Sequence, residues 1–359
     1  MRGKPKAATL KQVAQAAGVS VATVSRHLNG SLDLPRETAE RIAGVIRDME
    51  YKPNPHARTL SRGRSETIGL VVPDIANPFF AQLAASVEAA ADASGLGLVL
   101  GATLNRPHRE LDYIERFWRS RVDGLLFLTN HADDGSLANA INKVGCVVLL
   151  DEDVVGAAVP KIFCDNEHGG HLAARHLIEA GHRRIAFIGG PAQVSSSIER
   201  RRGYLTALRE AGIHNSSSMQ IHGAYTVEHG RAAMRSLIAD PRRPTAVFAS
   251  SDEIATGCLE VLRDAGLRVP EDLSIVGFDD VGPLHLFNPP LTAVRQPVEL
   301  LGRRGVELIV SQTQGNAPAA TIERLPVELV VRSSVAPPAE EARTRGKAKR
   351  RTADVQQAH

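Results

Sequence analysis

Hydrophobic and polar positions follow two rhythms along this chain, and the change comes near residue 67. Before it the rhythm is helical. Leu10, Val13, Ala14 and Ala17 recur on one helix face, and Thr9 with Gln12 has the form of a capping box, so a helix over 10–17 is predicted. Gly18 permits a tight turn. Ser20 can cap a second helix over 21–28 that buries Val24 and Leu28 and exposes Val21, Ala22, Ser25 and Arg26. Ile42, Val45, Ile46 and Met49 form the apolar stripe of a third helix over about 36–49, with Pro35 where a first-turn proline is tolerated. Two short helices around a glycine turn have the form of a helix-turn-helix, in which the start of the second helix faces base edges in the major groove. A plain helical hairpin inside a larger core shares the pattern.

Beyond residue 67, apolar runs at 68–72, 97–101, 123–128, 146–150, 184–188, 245–249 and 273–278 alternate with helical stretches near 78–94, 108–120, 135–143, 168–180, 198–211, 228–238, 252–265 and 297–312. That alternation predicts parallel sheets covered by helices on both faces. Near-continuous apolar runs such as Gly69-Leu70-Val71-Val72 fit burial on two sides. The runs are too many for one compact sheet of this kind, so two sheets with a cleft between them are expected. Ligands of open α/β sheets sit beyond the C-terminal strand ends, which makes the loops after these runs the candidate cleft lining. Asp74 and Asn77-Pro78-Phe79-Phe80 follow the first run. The aromatic pair could stack on a sugar or base, and at least one of the two is expected to be core.

Charge separates the same regions. Residues 1–66 hold 12 Lys/Arg against 6 Asp/Glu, residues 67–335 hold 25 against 31, and residues 336–359 hold 6 against 3. A basic head on an acidic body implies that only the head meets a polyanion. Cys146, Cys164 and Cys258 are widely spaced, which argues against a zinc site or a disulfide frame and fits a reducing compartment. The basic start, Met-Arg-Gly-Lys-Pro-Lys, is not followed by an apolar segment, and no apolar run reaches membrane-spanning length. A cytoplasmic, bacterial location with no membrane partner is the expectation.

The run 9–30, the segment Tyr51-Lys52-Pro53-Asn54 with Ala57-Arg58 and Leu60, and Thr67-Ile68-Gly69-Leu70-Val71-Val72-Pro73-Asp74 with Asn77-Pro78-Phe79-Phe80 resemble the LacI/GalR family of bacterial transcription regulators. The resemblance extends to about residue 333, and its head motif is specific because several separately spaced signatures coincide. It implies an all-α helix-turn-helix head at 1–53, a hinge helix at 54–65, and a periplasmic-binding-protein-like α/β body at 66–335 for effector binding and dimerisation. That body has two subdomains with parallel sheets, and chain crossovers near 163–166, 291–295 and 321–325. Residues 336–359 lack apolar periodicity and are predicted to be a disordered basic tail without the leucine heptads of a coiled coil.

The resemblance also assigns roles. Val21, Ala22 and Arg26 match base-contacting positions; Arg26 can pair bidentately with guanine, and the other two can offer apolar contacts to a thymine methyl. Ser20, Thr23, Ser25 and Asn29 match backbone-contacting positions, and Thr9 is placed with this DNA-facing set. Leu60 matches a minor-groove wedge, with Ala57 on the same hinge face. Two departures stand out: Pro35 sits where a capping Ser is common, and Ser61 where Lys or Arg is common, which shifts hinge phosphate contacts to Arg58, Arg62 or Arg64. In the body, Arg200 matches the effector-binding arginine and Asp279 an acidic effector contact. Tyr225, Ser251, Gln296, Phe163 and Asp165 match further pocket or crossover positions beside Asp74, Phe79 and Phe80. Ser251 stands where some relatives have Asn.

The implied function is that of a repressor. It binds a palindromic double-stranded operator as a homodimer and is controlled by a small effector, a sugar or sugar acid by default and a purine as the alternative. No cofactor, metal or catalytic residue is expected. A solute-binding protein would explain the body but not the head. A cleft hydrolase would need a paired acid/base set, for which Asp74 with Asp279 is the available pair. Asp279 and Asp280 are consecutive and so point apart, which leaves Asp280 a structural turn. His168, His171, His176 and His182 lack a carboxylate at metal-ligand spacing and are expected on helix surfaces or caps. Ser195-Ser196-Ser197 has no nucleophile-elbow context and is expected in a cleft loop.

Overall fold

The structure, a computed structural model, describes residues 8–28, 33–51, 64–214, 217–316 and 320–339. Its internal contacts separate a head, Met1–Glu66, from a body, Thr67–His359. Asn29, Ala57, Arg58, Leu60, Ser61, Arg62, most of the hinge and the tail from 340 onward lie outside the described residues.

The head holds α1 (Leu10–Ala16), α2 (Val21–Leu28) and α3 (Arg36–Asp48). The capping box forms: Gln12 N donates to Thr9 Oγ1 at 3.4 Å, and Thr9 N donates to Gln12 Oε1 at 2.8 Å. Gly18 has φ +65°, a left-handed conformation that a side chain would strain, and it turns the chain into α2. Ser20 Oγ accepts from Thr23 N at 3.0 Å and starts α2. Val13, Ala14, Ala17, Val24 and Ile42 form a small buried core, and Leu28 packs half-buried against it. Arg41 Nε donates to Ala17 O at 3.0 Å, tying α3 to the free carbonyl end of α1. Pro35 occupies the position before α3 and offers no side-chain cap, so that helix starts at Arg36.

The body contains two six-stranded sheets. The first comprises β1 (Thr67–Val72), β2 (Gly97–Ala102), β3 (Gly124–Phe127), β4 (Val147–Leu150), β5 (Lys161–Cys164) and β11 (Ile322–Leu325). Its order is β11-β5-β4-β3-β1-β2. The second comprises β6 (Ile185–Gly189), β7 (Gln220–His222), β8 (Ala246–Ala249), β9 (Ser274–Asp279), β10 (Thr292–Arg295) and β12 (Glu328–Val330). Its order is β12-β10-β9-β8-β6-β7. Helices α4 (Pro78–Ala93), α5 (Pro107–Arg119), α6 (Ser136–Lys143) and α11 (Val298–Thr313) belong to the first subdomain. Helices α7 (Asn166–Glu179), α8 (Ser195–Glu210), α9 (Val227–Ala239) and α10 (Asp252–Asp264) belong to the second.

Three expectations are corrected here. The sheets are parallel except at β12, which pairs antiparallel with β10. The chain crosses between subdomains three times, but the ranges 291–295 and 321–325 prove to be strands β10 and β11, and the crossings follow them at 296–297 and 326–327. Ser195-Ser196-Ser197 is the first turn of α8, not a loop. Five strands, β5, β7, β10, β11 and β12, had not been expected. Each has only three or four residues, and β7, β11 and β12 are partly exposed edges without an apolar run. Their extended form comes from pairing with distant strands, which local pattern does not encode.

His182 is a fourth correction. It is 1% exposed, with Nδ1 3.0 Å from Thr245 Oγ1 and Nε2 2.9 Å from Ala336 O, so it pins the last described segment to the second subdomain. Among the described residues no group of His, Cys, Asp and Glu is arranged to hold a metal ion, and no helix is long and apolar enough to cross a membrane.

One helix contact sets the position of the site. A Cβ on Gly170 would lie 2.1 Å from Arg200 O, and one on Gly203 would lie 1.9 Å from Glu167 O. Helices α7 and α8 therefore touch backbone to backbone. This seats Arg200 under the C-terminal edge of the second sheet.

Candidate functional site

Two faces carry the candidate chemistry, one on each unit. On the head, the start of α2 exposes Val21, Ala22 and Arg26, while Thr23 and Ser25 are half-buried. Val24 on the opposite side is fully buried, so the helix cannot rotate to hide this face without emptying the head core. Val21 is 43% exposed, a β-branched apolar side chain held outward at a helix start. The Ser20 and Thr23 hydroxyls lie 2.8 Å apart at the same end.

On the body, the segments after seven strands converge between the two sheets. Phe79 and Phe80 follow β1, Asn130 follows β3, Asp151 and Glu152 follow β4, and Ser196 with Arg200 follows β6. Tyr225 follows β7, Ser251 follows β8, and Gln296 follows β10, while Asp279 ends β9. All of them line one cavity, together with Asn77, the N-cap of α4. In this conformation its free volume is about 30 Å³, room for one or two waters, so the subdomains must part to admit anything larger. A larger groove of about 620 Å³ lies between α4 and α11, lined by small residues of α4 and by Glu299, Arg303, Val306 and Glu307 of α11, and none of the expected effector residues lines it.

Arg200 is the centre of the cavity. It is 3% exposed. Its Nε donates to Asn166 Oδ1 at 2.8 Å, one terminal nitrogen donates to Ser250 O at 2.6 Å, and the same nitrogen lies 3.5 Å from Asp279 Oδ1. The guanidinium also covers the Phe278 ring at 3.8 Å. Burial works against its charge, but Tyr225, Asp279, Asp151 and Glu152 outweigh burial and hold the proton more tightly than usual. The two following arginines are exposed: Arg201 Nε donates to Gln220 Oε1 at 2.7 Å, and Arg202 pairs with Glu167.

Asp279 accepts from Gln296 Nε2 at 2.7 Å, and burial pushes its carboxyl up to about 6 despite Arg200. Asp280 turns away, its buried carboxylate paired with the exposed Arg295 and the half-buried Arg332 at 2.7 and 2.8 Å. Glu152 is 3% exposed, and burial, reinforced by Asp151, pushes it up to about 8. It reaches from the first subdomain to the second: Ser196 N donates to Glu152 Oε2 at 3.1 Å, and the Ser196 hydroxyl donates to Oε1. The same hydroxyl lies 2.9 Å from Tyr225 OH. A second bridge between the subdomains joins Arg324 to Glu199 through two contacts of 2.7 and 3.0 Å.

The structure brings seven of the ten expected effector residues into this lining: Phe79, Phe80, Arg200, Tyr225, Ser251, Asp279 and Gln296. Both phenylalanines are also core, packed edge to face with ring centroids 5.3 Å apart. Three residues stand outside the lining. Asp74 accepts from Ala76 N at 2.9 Å in the loop after β1. Asp165 caps α7 through His168 N at 3.1 Å. Phe163 is buried with Arg324 over its ring. Asp74 is thus not paired with Asp279, whose acidic neighbours are Asp151 and Asp252. Sequence reasoning missed Asn130, Asp151 and Glu152, and placed Ser196 at the cleft but in a loop rather than in the first turn of α8. All three missed residues lie within two residues of the ends of the apolar runs 123–128 and 146–150, so the strand-end rule applied to every run would have found them.

Comparison with known proteins agrees on one lineage. Residues 9–54 match the family described as bacterial regulatory proteins, lacI family, and residues 174–335 match a periplasmic binding protein-like domain. The HTH-type transcriptional regulator DegA of Bacillus subtilis is 34% identical over 332 residues, covering 92% of this chain and 98% of DegA. A transcriptional regulator CelR–cellobiose complex is similar at 35% identity and a TM-score of 0.70, over 91% of this chain and 99% of that one. The lac repressor dimer bound to operator and the anti-inducer ONPF is similar at 28% identity and a TM-score of 0.82, over 92% of this chain and all of that one. These relatives are transcriptional regulators and not enzymes.

Proposed function

The chain belongs to the lacI family of bacterial regulatory proteins, and on that premise we propose that it is a repressor that binds a palindromic operator as a homodimer and responds to a small polyhydroxylated effector in the cleft. The observation that carries this reading is the pairing, in one chain, of an outward α2 face with a polar cavity built at strand ends between two sheets. Arg26 reads a guanine, Val21 and Ala22 make apolar contacts, and Ser20, Thr23 and Ser25 hold the helix on the phosphate backbone. With one strongly polar base reader, specificity leans on apolar contacts and DNA deformability as well as on hydrogen bonds. Asn29 and the hinge residues Ala57 and Leu60 extend this interface in the same reading.

The dimer follows from operator symmetry and from an apolar surface on the first subdomain. At the sheet edge, Val99 and Leu100 of β2 are 45% and 42% exposed, suited to a second copy of the chain. The similar lac repressor structure is a dimer on operator. A sugar-like effector is supported by the CelR–cellobiose complex and by the hydrogen-bonding character of the cavity.

Coupling runs through the subdomains. An effector that favours one arrangement of the two sheets shifts the population of the DNA-competent dimer, and the direction depends on the arrangement it prefers. The test is selection of operator sequences from a random pool, followed by footprinting with the full chain. Enrichment of a two-fold site bound by two protomers is expected. Binding without sequence preference, or by a single protomer, overturns the reading.

A further inference from the structure

The donors and acceptors of the cavity do not balance. Asp151 Oδ1 and Gln296 Oε1 are buried without a hydrogen-bond partner, and both residues line the cavity. Asp151 is 8% exposed and Gln296 3%. A buried oxygen left without a donor is costly until something supplies one. Several nearby donors are already held: Arg200 Nε and one of its terminal nitrogens by Asn166, Ser250 and Asp279, the Gln296 amide by Asp279, and the Ser196 hydroxyl by Glu152.

Charge is unbalanced in the same direction. Asp151, Glu152 and Asp279 surround one guanidinium. Burial raises all three carboxyls, and the adjacency of Asp151 raises Glu152 further, so at neutral pH Glu152 keeps a proton. An anionic ligand would add negative charge to a space that already protonates its own acid. A sugar acid, one of the ligands expected from Arg200, therefore meets a guanidinium already shared with Asn166, Ser250 and Asp279, with two further carboxyls beside it.

We propose that the cleft takes a small polyhydroxylated ligand bearing a protonated amine, with the ammonium against Asp151 and Glu152 and hydroxyl groups donating to Gln296 and Asp279. The proposal rests on reading this cleft as the effector site. Glu152 is then the residue that sets ligand class. When the ammonium arrives, the Glu152 carboxyl gives its proton to solvent and becomes the carboxylate that faces the cation. The Ser196 amide and hydroxyl stay in place to hold it. Ligands carrying a carboxylate or phosphate in place of the amine are rejected.

The test is calorimetric titration of the full chain at pH 7 with matched pentoses, hexoses and nucleosides in neutral, aminated and carboxylated forms, each in two buffers of different ionisation enthalpy. The tightest ligand is expected to be aminated, at least about ten-fold tighter than its neutral parent, with release of about one proton. Glu152→Gln should abolish the proton release and cut the amine preference about ten-fold, and Asp151→Asn should reduce that preference as well. A neutral or carboxylated compound as the tightest ligand overturns the proposal, as does failure of every aminated compound to bind. If a neutral or carboxylated compound binds and changes operator affinity, only the ligand class falls and the effector reading stands. If no compound of any class binds the cleft, the effector reading falls with it.

Discussion

The head face and the body cavity are both proposed binding sites, yet they are assembled at opposite distances along the chain. The α2 face lies within Ser20–Arg26, and one glycine turn and one buried valine orient it. The cavity draws on loops from β1 to β10, and its central pair, Arg200 with Asp279, is 79 residues apart. The head presents Val21, Ala22 and Arg26 to solvent on one short helix face. The cavity buries its groups against one another, so removing one leaves others uncompensated. A site built from a single helix start can change one contact at a time, whereas a site built across two sheets changes as a unit.

The sharpest way to break this contrast is Arg200→Ala. Removing the one cation from a buried set of carboxyls should cost roughly 3–5 kcal/mol of stability and abolish the ligand response. Operator binding by protein that remains folded should persist. Denaturant melts and operator titrations with and without ligand check both halves. Unchanged stability would mean that the cavity behaves like the surface face.

A smaller effect comes from Glu152 and pH. Its folded carboxyl sits at about 8, above the ordinary value of 4.5, so the folded state holds a proton that the unfolded chain gives up earlier. Stability should therefore be highest at the acid side of that window, fall as pH rises from about 4.5 to about 8, and then level off. The decline should be on the order of a few kcal/mol, and Glu152→Gln should flatten the part due to this residue. Melting temperatures across this range in both proteins decide it. A wild-type curve that rises through the window would contradict the burial of this group.

The smallest expected effect is Arg26→Ala. It should cost about 1–3 kcal/mol of operator discrimination and leave the melting temperature nearly unchanged, because this side chain is exposed. Competition binding against operators with single base changes measures it. Equal loss on all sequences would reassign Arg26 from base to phosphate.

The same contrast explains what was legible in the chain. The head could be read almost to the residue, since Thr9, Gln12, Gly18 and Ser20 act on neighbours a few positions away. Strands that lie in continuous apolar runs were legible, the four-residue β3, β4 and β8 among them. Strands β5, β10 and β11 were not, because polar residues begin, end or interrupt them and pairing with distant strands makes them strands. Arg200 and Asp279 could be assigned from motif resemblance, but their mutual geometry could not, since it depends on α7 and α8 touching through Gly170 and Gly203. Glu152 was illegible for a related reason. A glutamate after an apolar run is ordinary in sequence, and only the approach of α8 from the other subdomain makes it a buried acid held by Ser196.

The interleaving of the two sheets has a consequence for synthesis on the ribosome. The first sheet is complete only when β11 pairs with β5, and its core includes Leu301, Val306 and Ile309 of α11. Those residues emerge after the entire second sheet up to β10. At about 5–20 residues per second, the roughly 160 residues from 166 to 325 take about 8–32 s to make. For that interval the nascent first subdomain carries an open strand edge at β5 and an apolar face awaiting α11. Neither half of the body can be cut out as a contiguous gene fragment with all its strands and without carrying elements of the other half. Truncations ending before residue 298 should therefore aggregate even though they contain β1 to β5 in full.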